Sequence, residues 1–170
     1  MNKKKNNSLA VVILASGTGE RFLDATPKQY KKINNKTILE HSINKFIKNN
    51  KINSIYVAYN KDHEKYILPI KKKFRRVNFI LGAEHRQNSA SKILNIIHKK
   101  RMYHYVLIHD SVRPFVTVSL VNKVINKLLL NEGVIPAIKI NDSIKVINNN
   151  EVIKNLDRNK VFASQTPQGF

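Results

Sequence analysis

The sequence contains no cysteine. A disulfide framework and a thiolate metal site are both excluded, and a reducing cytoplasm is an acceptable setting. No stretch approaches the ~20 uninterrupted apolar residues that a transmembrane helix needs. Lys3-Lys4-Lys5 followed by Leu9 to Ala15 has the outline of a signal peptide. Its apolar stretch is at the minimum length, though, and runs straight into a glycine loop instead of a processed junction. The reading is a cytoplasmic chain with a basic tail over 1–8 and no membrane partner.

Acidic residues are also scarce, 11 against 31 lysines and arginines, for a net charge of +20. That imbalance raises nucleic acid as a partner. The basic residues are scattered, however, over Lys31-Lys32, Lys71 to Lys73, Arg75-Arg76 and Lys99 to Arg101. There is no basic helix, zinc-finger spacing or aromatic-plus-basic ribonucleoprotein motif. Specific nucleic-acid binding is not expected, and most of the charge is read as solvated surface with a minority focused on an anionic substrate. Nucleophilic catalysis lacks support too: no serine sits in a G-x-S-x-G elbow. The six histidines show no metal-ligand spacing.

What is present starts at Ala10-Val11-Val12-Ile13, a β-branched run fit for a buried parallel strand. It leads into Leu14 to Tyr30, LASGTGERFLDATPKQY. Gly17 and Gly19 permit a tight turn that presents backbone N–H groups to a phosphate, and Arg21 and Lys28 add positive charge at the same place. Phe22 stands where a third dinucleotide-binding glycine would be, and no Gly-Lys-Ser/Thr follows, so the Rossmann fingerprint and the Walker loop both fail. The loop fits a triphosphate; an ordinary surface turn is the plain alternative.

Strand and helix patterns then alternate. Helical stripes are predicted over Thr37 to Phe46, Asp62 to Phe74 with an interruption at Pro69, Ser89 to Arg101, and Val118 to Asn131. Strands are predicted over Ile55 to Tyr59, Val77 to Leu81, Tyr105 to Ile108 and Val134 to Ile138. This order predicts an α/β domain over 9–170: a mostly parallel twisted sheet with helices on both faces. Asp142 to Ile147 and Glu151 to Lys154 flank Asn148-Asn149-Asn150 and predict a β-hairpin arm over about 141–160, which needs a partner to pack on. Ligands of such sheets bind where strands end. Those positions hold Gly17-Thr18-Gly19, Gly82 to Arg86, and His109-Asp110-Ser111-Val112-Arg113-Pro114. Asp110 offers a carboxylate for a divalent cation beside the Arg113 guanidinium; a helix cap or a structural Asp110–Arg113 salt bridge is the alternative.

GTGERF with PKQY, HDSVRPF, the NDSIKV arm, LDRNKVF and QTPQGF resemble, in order and spacing, the 2-C-methyl-D-erythritol 4-phosphate cytidylyltransferases. The resemblance runs from about Ala10 to Phe170. It implies a Rossmann-like nucleotidyltransferase that moves CMP from CTP to a polyol phosphate and releases pyrophosphate in isoprenoid precursor synthesis. In that pattern Arg21 and Lys28 are catalytic, holding the CTP phosphates. Ala15, Ser16, Gly17, Thr18, Gly19, Gly82, Ala83, Ser89, Asp110 and Arg113 bind the nucleotide, and Asp110 sits near Mg²⁺. Ser143, in place of the usual threonine, grips the substrate phosphate with Arg158, which reaches across a homodimer, and Thr166 helps close the pocket. Relatives acting on ribitol 5-phosphate share HDSVRPF and TPQ, so that substrate is the alternative. Family chains run on beyond the TPQ motif with a further lysine and acidic residue. A chain stopping at Phe170 is therefore expected to be truncated, with a non-catalytic nucleotide-binding module as a third reading.

Overall fold

The computed structural model describes residues 8–18 and 26–170. Its centre is β1 (Leu9–Ala15), all seven residues of which are buried. Such a strand must be covered on both faces, and the helices do this. After a two-residue hairpin, β2 (Lys32–Ile33) and β3 (Lys36–Thr37), come α1 (Ile38–Ile47), β4 (Ser54–Tyr59), α2 (Glu64–Lys73), β5 (Val77–Leu81), α3 (Arg86–Lys100), β6 (Tyr105–Asp110) and α4 (Val118–Leu128). The sheet order is β11-β6-β1-β4-β5, parallel except for the edge strand β11 (Gln168–Gly169), which runs antiparallel to β6. Leu9, Val11, Ile13 and Ala15 face a core shared with α1, α2 and α4, including Phe46, Ile67 and Leu128. Ala10, Val12 and Leu14 face the other way, onto Ile93 and Ile97 of α3. Each of the Val, Leu, Ile and Phe side chains among these contributes roughly 1.5–3 kcal/mol by leaving water, the alanines less.

Chain order reverses between β1 and β6, since β4 and β5 are laid down on one side of β1 and β6 on the other. Loops leaving the carboxyl ends of β1 and β6 therefore diverge and leave a crevice between them. Outside this sheet, β7 (Ala137–Lys139) pairs with β10 (Phe162–Ser164), and β8 (Ile144–Asn148) with β9 (Glu151–Leu156) to form the arm. Asn149 and Asn150 have φ of 47° and 65° at the arm's tip. Two successive left-handed residues make the turn that matches hairpin twist.

Three expectations need correcting. Pro69 lies inside α2 without interrupting it. The bond it cannot form would involve the carbonyl of exposed Lys65, which water can satisfy, while Ile67 and Ile70 are buried on either side. The strand expected over Val134 to Ile138 is displaced: Val134 only bridges Gly169, and the paired segment begins at Ala137. Pro136 explains this, since it has no N–H to give a ladder; its carbonyl accepts from Gln165 at 2.7 Å. Finally, α4 stops at Leu128, short of Asn131.

Two buried polar groups couple the fold to pH. Thr37 and Glu40 form a reciprocal capping box on α1, and Lys73 of α2 bonds Glu40 Oε1 at 2.7 Å. Burial works to raise the Glu40 pKa, but the Lys73 and Thr37 hydrogen bonds outweigh it and hold the carboxyl below the usual glutamate range. His109, fully buried at the end of β6, is pushed down to about 4 by desolvation. It packs edge-on against Phe46, ring centroids 5.0 Å apart. For both groups the folded pKa lies below the unfolded one. Their stabilisation is therefore complete above the unfolded pKa and lost as pH falls through the folded one. Urea unfolding should show wild-type stability falling by about 3 kcal/mol between pH 6.5 and 4 because of His109. His109→Gln should flatten this slope; an equally steep slope in that variant would contradict the assignment.

Candidate active site

At the carboxyl end of β1, Ala15 and Ser16 are buried while Gly17 and Thr18 are exposed. Ser16 Oγ lies 2.7 Å from Ser89 Oγ, which also accepts from the Ala83 N–H at 2.9 Å and donates to the Ala83 carbonyl at 3.0 Å. Ser89 is thus fully enclosed and shapes the turn after β5 from within α3. Gly82 makes this possible. A Cβ on it would stand 2.5 Å from Ser16 Cβ, so the β5 turn reaches over β4 to the β1 loop only with glycine there.

Lys28, Gln29 and Tyr30 form one 3₁₀ turn after Pro27. Lys28 is exposed and lines a cleft of about 630 Å³ that also includes Arg113 and Thr166. Gln29 is buried, and its amide donates to the carbonyls of Ala15 at 3.0 Å and Gly17 at 2.9 Å. Gly19 and Arg21 lie outside the described residues.

Leu14 pairs with Asp110 in the β1–β6 register, which brings the second loop to the first. Arg86 bonds Asp110 Oδ1 at 3.0 Å, and Arg113 reaches Oδ2 at 3.3 Å. Asp110 is therefore a partly exposed carboxylate between two guanidiniums. The expected alternative of an Asp110–Arg113 pair is present in the geometry, and no helix starts at Asp110 for it to cap. Arg113 Nη1 also donates to Gln165 Oε1. Behind this pair, His109 Nε2 donates to the Arg113 carbonyl at 3.2 Å, and Nδ1 accepts from the Thr166 hydroxyl at 2.9 Å. Thr166 Oγ1 in turn accepts from the Asp110 N–H at 3.3 Å. Of the two neutral tautomers only Nε2–H satisfies both ring contacts, and the depressed pKa keeps the ring neutral.

The fold thus gathers Ala15 to Thr18, Gly82, Ala83, Ser89, Asp110, Arg113 and Thr166 at the ends of β1, β5 and β6, with Lys28 on the cleft wall. Ser143 is exposed just before β8. Arg158 is exposed beyond β9 and donates to the Asn141 carbonyl at 3.0 Å, at the base of its own arm. Arg86, Gln29 and His109 carried no expected site role, although Arg86 and His109 stand just past strand ends and Gln29 lies within PKQY. Gly82→Ala forces Ser16 aside, so hydrogen exchange should show faster opening at Gly82, Ala83 and Ser89, whose N–H groups are bonded, with little change in α4. Wild-type protection at those amides would contradict the close approach.

The family model of 2-C-methyl-D-erythritol 4-phosphate cytidylyltransferase matches residues 9–170. The bifunctional enzyme IspD/IspF of Pelagibacter ubique (strain HTCC1062) is 41% identical over 160 residues, covering 94% of this chain and 42% of that protein. The 2-C-methyl-D-erythritol 4-phosphate cytidylyltransferase of Wigglesworthia glossinidia brevipalpis is 36% identical over 164 residues, covering 95% of this chain and 70% of that protein. Among solved structures, the 4-diphosphocytidyl-2C-methyl-D-erythritol synthase of Anaerococcus prevotii DSM 20548 superimposes with a TM-score of 0.82 at 28% identity. That match covers 97% of this chain and 71% of the other. The chain spans about two fifths of the length of the bifunctional relatives. On the match over 9–170, the chain belongs to the 2-C-methyl-D-erythritol 4-phosphate cytidylyltransferase family.

Proposed function

We propose that this protein transfers CMP from CTP to 2-C-methyl-D-erythritol 4-phosphate and releases pyrophosphate. The observation that carries the reading is that β1 ends in register with Asp110, whose ion-pair partner Arg113 lines a cleft together with Lys28, in a chain of this family. A phosphate oxygen of the polyol phosphate attacks the α-phosphorus of CTP, and the bond to the bridging oxygen of the β-phosphate breaks. The attacking oxygen is already ionised at neutral pH, so no general base is needed. The barrier lies in bringing anions together and in the charge that builds on the α-phosphoryl oxygens. Lys28 and Arg21 answer that charge, and Gly17 and Thr18 offer backbone N–H groups to the phosphates. Gly82 and Ala83 shape the base and ribose side, backed by Ser16 and Ser89. Arg113 orients phosphate or ribose, held in place by Asp110 and Gln165.

The residues fit a divalent cation carried by the triphosphate. Asp110 supplies one hard oxygen donor, and a Mg²⁺ ion typically completes its shell from phosphates and water. No group of three or more His, Asp or Glu side chains able to hold a metal gathers among the described residues. When bound, the ion neutralises phosphate charge. Ser143 and Arg158, on an arm whose Ile147, Val152 and Ile153 are exposed, fit a homodimer in which the arm brings Arg158 to the partner's substrate phosphate. No helix among the described residues is long and apolar enough to cross a membrane.

Pyrophosphate release with CTP should be seen with methylerythritol phosphate and not with ribitol 5-phosphate; the reverse preference would move the protein to the ribitol branch. CTP binding without turnover on either polyol would favour a binding module. Lys28→Ala should lower turnover by about two or more orders of magnitude with little change in thermal stability. Unchanged turnover would remove Lys28 from the reaction.

A further inference from the structure

We propose that Gln29 is the positioning residue of this site, the group that turns the nucleotide loop's carbonyls away from the triphosphate and ties Lys28 to that loop. The inference rests on the reading of the β1 loop as the triphosphate site. A loop that binds an anion has opposite requirements for its two kinds of backbone group. Its N–H groups must be free to face the phosphate, while a carbonyl facing the same way would repel it. Carbonyls turned inward must then find donors, because a buried acceptor left alone is costly.

Gln29 supplies those donors. Its side-chain nitrogen lies 3.0 Å from the Ala15 carbonyl and 2.9 Å from the Gly17 carbonyl. Both amide hydrogens are therefore used, one on the last residue of β1 and one on the loop. The opposite amide orientation would set Oε1 against two carbonyl oxygens, so the assignment is determined by chemistry. Water has little access on the Ala15 side, where Gln29 is 3% exposed, Ala15 1% and Ser16 4%, while Gly17 lies at the surface.

The same side chain fixes Lys28. Gln29 stands in the middle of the one-turn helix that begins at Lys28. Tyr30 anchors that turn from behind, stacked on Tyr66 at 5.1 Å and edge-on to His63 at 5.4 Å. With Tyr30 held in the core and the amide held on Gly17, the backbone of Lys28 keeps one distance from the loop. Neither bond touches substrate, so Gln29 acts through its neighbours.

Two variants of the full chain test this. Gln29→Met keeps length and apolar packing but donates nothing. Gln29→Glu donates one hydrogen when protonated and none when ionised. CTP binding is measured by calorimetry with Mg²⁺ at pH 6 and pH 8.5, and amide hydrogen exchange is followed without nucleotide. Gln29→Met should weaken CTP binding by about ten- to a hundredfold and speed exchange at Tyr30 and Lys31, whose N–H groups bond the Pro27 and Lys28 carbonyls, by about tenfold or more, with α4 protected as in wild type. The ratio of Gln29→Glu to wild-type affinity should rise toward one at pH 6, because burial against two carbonyl oxygens favours the protonated carboxyl, which can donate. Wild-type CTP affinity in Gln29→Met, or a pH-independent ratio for Gln29→Glu, would overturn the proposal. If wild type itself binds no CTP, the triphosphate reading falls and the positioning role with it, whatever the exchange shows.

Discussion

The parallel pairing of β1 with β6 is the constraint on which the site depends. Its register sets Ile13 opposite His109 and Leu14 opposite Asp110, and the Ser111 N–H continues it onto the Leu14 carbonyl at 3.1 Å. A slip of one residue would turn every side chain of β6 to the other face. Asp110 would then enter the core, and His109 would leave Phe46. Register is held because β1 is buried on both faces, so neither alternate pairing nor exposure is tolerated. The loop after β1 and the loop after β6 meet for that reason, with no direct bond between them required.

Charge is arranged on this frame in an uneven way. Asp110 stands at the crevice, and two arginines share it. It holds Arg113 in a fixed direction without cancelling the excess positive charge, which remains available to anions. Elsewhere much of the +20 net charge has a local cause. The last turns of α1, α2, α3 and α4 carry Lys45, Lys71 to Lys73, Lys99 and Lys100, and Lys127. Cations there complement the negative ends of the helix dipoles. Because the helices return against the strands, these ends gather opposite the crevice.

Much of this was readable from residue patterns. The unbroken aliphatic run of β1, the spacing of Ile93 and Ile97 in α3, and the Asn-rich turn of the arm each produced their element because a local rule and the tertiary fold agreed. A second Asn turn, Asn34-Asn35 with φ of 48° and 62°, went unread because its strands are two residues long and show no alternation. The edge strand β11 was invisible for the same reason. Pro136, which displaced a predicted strand, was a legible signal that the hydrophobic run around it obscured. In the site, residues carrying charge or a glycine turn stood out by type. Gln29 and His109 matter through burial and long-range bonds, which a linear pattern does not contain, whereas Thr166 was named through the QTPQGF resemblance alone. Arg86 is intermediate: its position was visible, but its partner 24 residues away was not.

The most direct test of the account is a crystal structure of the protein with CTP and Mg²⁺. The account predicts triphosphate density against the Gly17 and Thr18 backbone, within reach of Lys28, with the ion on Asp110 and the cytosine beside Gly82 and Ala83. Triphosphate bound instead at the lysine-rich helix ends, or an unoccupied crevice at saturating nucleotide, would contradict it.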